Sequence, residues 1–79
     1  MLPESLEEDF YAGRRSGVLR FCIDDHVEVT AGTYRGCHGW LVAIDRRGPE
    51  PRFLVEFEDG TDTLVEQSEV SVRRNSESG

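Results

Sequence analysis

The sequence predicts an all-β domain: a small, closed or nearly closed barrel of five short strands, preceded by a short N-terminal helix or arm. Three observations carry this. Short runs that alternate apolar and polar residues recur along the chain, and glycine- and proline-rich turns separate them. The chain has only 79 residues, a size that buries about 60% of the surface its unfolded form exposes. That leaves little room for both a core and a deep catalytic cavity.

Residues 1–16 read as a unit apart from the strands. Ser5 followed by Glu8 is a capping-box pattern, Leu6 and Phe10 stand four apart, and Gly13 with Arg14 and Arg15 marks a stop, so a helix is predicted over residues 5–12. Helices shorter than about 12–15 residues are marginal in water. Leu6, Phe10 and Tyr11 therefore need a surface to dock on, either the barrel or a partner. Residues 17–23 then alternate so that Leu19, Phe21 and Ile23 share a face, as a strand or an extended lead-in.

The organising stretch is residues 25–45. Val27 and Val29 alternate with His26 and Glu28, as in a strand with one buried face. A loop punctuated by Gly32, Gly36 and Gly39 follows, and glycines at such intervals imply positive φ or close approach to another surface. A second, apolar strand runs on to Asp45. Residues 46–51 carry two prolines and a glycine and predict a loop. Phe53, Val55 and Phe57 alternate as the inward face of a third strand, and Asp59-Gly60 supplies a hairpin turn to a fourth over residues 61–65. Residues 70–72 form the fifth, and the polar residues 74–79 are predicted to be disordered. The chain thus divides into an arm (1–16), a barrel (17–73) and a tail (74–79).

Asp25, Val27, Val29, Gly32, Arg35, Gly36, Gly39, Leu41, Ile44 and Asp45 resemble the KOW motif, the strand-loop-strand core of SH3-like barrels in NusG-type transcription factors and a large-subunit ribosomal protein family. With the downstream strands the likeness covers residues 24–73. It implies an SH3-like barrel and a non-catalytic binding role in a transcription- or translation-associated complex. NusG-type members engage protein partners as well as nucleic acid, and ribosomal members bind RNA. KOW-type domains usually carry a glycine before the motif aspartate, where this chain has Asp24. The family pattern also places Leu41 and Ile44 inside, which requires a β-bulge and turns Trp40 outward. Strict alternation instead groups Trp40, Val42 and Ile44 in the core, and the sequence leaves both registers open.

The formal charge of −7 argues against wholesale attraction to nucleic acid or an anionic membrane. No apolar run approaches the ~20 residues of a membrane span, and the N-terminus lacks the pattern of a signal peptide, so the expectation is a cytoplasmic protein with no membrane contact. Cys22 and Cys37 are expected as free thiols. They and His26 and His38 lack the knuckle spacing of a zinc site, and Cys37 and His38, adjacent on extended backbone, point opposite ways. No phosphate loop or nucleophile signature is present. No enzyme activity, metal or cofactor is expected.

Two binding readings follow. The first is a protein partner, with RNA or DNA contact, engaged through Tyr34, Arg35, Gly36, Trp40, Arg46, Arg47 and Arg52, the four arginines forming one basic patch. The second is an acidic adaptor or inhibitor that imitates a nucleic-acid backbone to a basic protein through Glu56, Glu58, Asp59 and Asp62. A third is a cage for a methylated cation built from Tyr34, Trp40 and Phe57, which requires Phe57 to lie outside the core.

Overall fold

A computed structural model describes residues 1–73; the predicted tail, 74–79, lies outside the described residues. Helix α1 spans Ser5–Ala12. Its C-terminus is a Schellman turn: Gly13 takes φ 79°, its N–H donates to Phe10 O, and the Arg14 N–H donates to Asp9 O at 2.9 Å. The expected capping box at Ser5 does not form. Ser5 is already helical and Glu4 occupies the N-cap with no side-chain hydrogen bond, because the preceding Pro3 carbonyl and Glu4 carbonyl themselves accept the Leu6 and Glu7 N–H groups.

What holds so short a helix is burial. Leu6 and Phe10 enter the core, and the Phe10 ring stacks on Phe53 with centroids 5.6 Å apart. Arg46 ties down the chain ahead of the helix, donating from Nη1 to Leu2 O at 2.7 Å while its carbonyl accepts the Leu2 N–H. Tyr11 stays half exposed. The arm is thus part of this domain's own core.

Residues 17–25 are an extended lead-in without strand pairing. Leu19, Phe21 and Cys22 are buried along it. Gln67, itself buried, accepts the Arg20 N–H and donates to Val18 O, so both halves of its amide clamp this segment. Asp24 takes φ 70°, the left-handed conformation a glycine would supply. The turn into the first strand is therefore tight despite the absence of a glycine there. Asp25 stabilises it by accepting the Cys22 N–H and the Arg15 guanidinium.

Five strands follow: β1 (His26–Val29), β2 (His38–Asp45), β3 (Arg52–Phe57), β4 (Asp62–Glu66) and β5 (Val70–Val72). All pair antiparallel, in the order β4-β3-β2-β1-β5. Only a 3₁₀ turn, Gln67–Glu69, joins β4 to β5 at the opposite end of that order. Four strand spacings of about 4.8 Å make roughly 19 Å, more than so short a link can reach. The sheet must therefore coil. It remains open, since no ladder joins β4 to β5, and the expected closure is not made by hydrogen bonds.

The bulged register is the one found. Pairing of β2 with β3 shifts between Leu41 and Ala43, leaving Val42 as the extra residue. Leu41 is fully buried, Ile44 packs against the core and Trp40 faces out. Val27, Val29, Phe53, Val55 and Phe57 fill the inner face.

Candidate functional site

Alternation places His26 and Glu28 of β1, His38 and Trp40 of β2, Glu56 of β3 and Asp62 of β4 on the outer face of the sheet. The pairing aligns His26, Trp40, Glu56 and Asp62 as one row across four strands. Trp40 is 37% exposed. Its indole lies almost parallel to the His26 imidazole, 4.6 Å between centroids and 7° between planes. Among the described residues no other ring and no arginine stacks on it.

His26 is fixed in turn by His38, Nε2 to Nδ1 at 2.9 Å. One ring of such a pair must be a neutral acceptor. Burial lowers the His26 pKa first, His38 and Arg73 push the same way, and Glu58 opposes them. The His26 ring, held by His38 and disfavoured as a cation, thus braces the tryptophan. Each histidine looked unremarkable alone; the pairing lies across the loop and appears only once the β1–β2 register is known.

The β3–β4 turn carries the acids. Phe57 N–H donates to Thr61 O, Gly60 takes φ 90°, and Asp59 accepts both the N–H and hydroxyl of Thr61. Those bonds lower the Asp59 pKa. Glu56, Glu58, Asp59 and Asp62 are all exposed, and none forms an ion pair among the described residues. Glu56 and Asp62 stand directly opposite one another. A shallow groove of about 320 Å³ beside this turn is lined by Tyr34, Cys37, His38 and Phe57 together with Glu58, Asp59 and Thr61.

The arginines are disposed differently. Arg47 and Arg52 converge on Asp45, whose pKa falls to about 2, chiefly through the Arg47 side-chain hydrogen bond and then the Arg47 N–H. Arg46 holds Leu2 and approaches Glu7 at 3.4 Å. Arg35, in the β1–β2 loop, is exposed and has no ion pair among the described residues. That loop, with Gly36 at φ 90°, precedes β2 and the Arg46/Arg47 loop follows it. An eight-residue strand separates them by roughly 23 Å, so the four arginines do not form one basic patch.

The aromatic cage is also absent. Tyr34 stacks on Phe57 at 5.2 Å and Phe57 is 8% exposed on the inner face, opposite in direction to Trp40. Both cysteines are free, Cys22 buried and Cys37 exposed. Among the described residues no three His, Cys, Asp or Glu side chains gather as metal ligands, and no helix is long and apolar enough to cross a membrane. No protein-family model matches the chain, and no match is found among curated proteins or solved structures.

Proposed function

We propose that this chain is a non-catalytic binding module whose acidic β3–β4 hairpin engages a basic protein segment. The observation that supports the reading best is the contrast in pairing. The four hairpin acids are exposed without cationic partners among the described residues, whereas Arg46, Arg47 and Arg52 are already engaged inside the molecule. Unpaired charge of one sign raises the local concentration of oppositely charged partners and speeds their encounter. We read the coiled sheet as an SH3-like barrel left open between β4 and β5. The bulged β2 and the glycine-punctuated loop before it support the likeness to KOW domains, and with it a place in a transcription- or translation-associated complex. The target is then a basic protein of such a complex, met as an adaptor or inhibitor.

A heteronuclear NMR titration tests this with three ligands at low salt: an arginine-rich peptide, a mixed single-stranded RNA and duplex DNA. The peptide is expected to shift residues 56–62, and the E56Q/E58Q/D59N/D62N variant to lose at least about tenfold in affinity, given that each desolvated charge pair is worth one to several kcal/mol. Shifts from RNA in residues 30–37 or 46–47, with the peptide silent, overturn the reading in favour of nucleic-acid contact.

A further inference from the structure

We infer that Trp40 is the seat for one arginine side chain of the basic partner, whose guanidinium lies on the open face of the indole and hydrogen-bonds toward Glu56. The inference rests on the hairpin reading and adds to it a specific site and a specific residue class. Trp40 is the only tryptophan, it sits in the middle of the outer face, and one face of its ring is already stacked on His26, its cross-strand neighbour. A ring oriented in advance loses little rotamer freedom on binding. Glu56 is its direct neighbour on β3 and Asp62 stands next in the same row on β4, so a cation over the indole meets two carboxylates on one side.

Arginine fits this geometry better than lysine. The guanidinium is planar, less strongly hydrated than an ammonium, stacks on aromatic faces and forms a fork matched to a carboxylate. A nucleobase would also stack on an indole, but its phosphates would meet the hairpin acids. Among the described residues no arginine fills the position: Arg73, whose N–H donates to His26 O, turns its guanidinium to Glu28 at 3.1 Å. Glu56 opposite Asp62 is a like-charge pair that destabilises the free sheet. An incoming cation relieves that repulsion, which adds to its binding.

Fluorescence of this single tryptophan gives the test on the intact chain. Three otherwise identical peptides carry arginine, lysine or citrulline, the last keeping the planar shape without the charge. The arginine peptide is expected to perturb the emission and to bind about fivefold tighter than the lysine form and at least about tenfold tighter than the citrulline form. For the variants without tryptophan, affinity is read from the NMR shifts of residues 56–62: W40F is expected to retain most of it and W40L to lose about five- to tenfold, with the E8Q variant, on the exposed side of α1, unchanged. Equal binding of the arginine and lysine peptides, or no loss in W40L while E56Q/E58Q/D59N/D62N still abolishes binding, overturns the seat and leaves the hairpin reading standing. Failure of all three peptides overturns both.

Discussion

Two backbone positions show how much a single residue decides here. At Gly39 a Cβ would sit 2.3 Å from Glu56 O, a backbone atom that cannot swing away, so β2 and β3 approach closely only because no side chain intervenes. Gly39→Ala is expected to lower stability by about 1–3 kcal/mol or more, read as a lower urea midpoint. Asp24 presents the reverse case, a side chain where a glycine would be easier. Left-handed backbone costs an L-residue about 1–2 kcal/mol, less for aspartate, and glycine loses about 0.5–1 kcal/mol through chain entropy. Asp24→Gly should therefore fall within about 0.5 kcal/mol of the parent, and Asp24→Val should lose about 1–2 kcal/mol. Equal losses for the two would mean that the φ of 70° is not what the position demands. The sequence separates these cases poorly. Gly32, Gly36 and Gly39 look alike in a row of letters, yet the first two serve positive φ and the third serves the neighbouring strand.

Elements were legible where their signal is local. The bounds of α1, β3 and β5 follow from spacing of three to four or alternation of two, and these periods depend only on near neighbours; β4 runs one residue later than 61–65, and β2 begins at His38, within the expected loop. What fastens the elements together was not legible. Gln67 clamping Val18 and Arg20, and Arg46 holding Leu2, join residues far apart in sequence, and no local pattern announces such a pair. The arginine patch failed for the same reason: loops adjacent to one strand in sequence lie at its two ends in space. The helix depends on one such long-range contact, so Phe10→Ala is expected to cost about 3–5 kcal/mol and to detach the arm, visible as loss of helical amide protection. The hairpin trades in the other direction. Glu56→Gln removes a like-charge opposition worth about 0.2–1 kcal/mol; it should raise the urea midpoint slightly while weakening the arginine peptide.

At the scale of the whole molecule, two titrations shape stability against pH. The His26 pKa is lowered by burial and by His38 and Arg73, so the unfolded chain binds a proton that the folded one refuses. That contribution is complete above the unfolded value near 6.5 and is lost as pH falls below it. Asp45, lowered from 3.8 to about 2 by Arg47 and Arg52, contributes above pH 3.8 and loses its share toward pH 2. Urea midpoints measured across pH are expected to decline in two stages, the upper one removed by His26→Phe and the lower, which Asp59 shares, reduced by Asp45→Asn. A single acid transition that both variants leave unchanged would contradict these assignments.

The open, coiled sheet also sets an order of events in time. The β2–β3–β4 meander is built from neighbours in sequence, whereas the β1–β5 ladder must bring Val27 to Val72 and Val29 to Val70, paying its loop-closure entropy late. Val55→Ala, in the meander, is expected to slow refolding in stopped-flow experiments, and Val70→Ala, in the far ladder, to hasten unfolding with little change in the refolding rate. The chain then escapes its native state through the β5 side first. On that expectation the kinetic persistence of the fold rests on three residues, Val70–Val72, that lie outside the binding row.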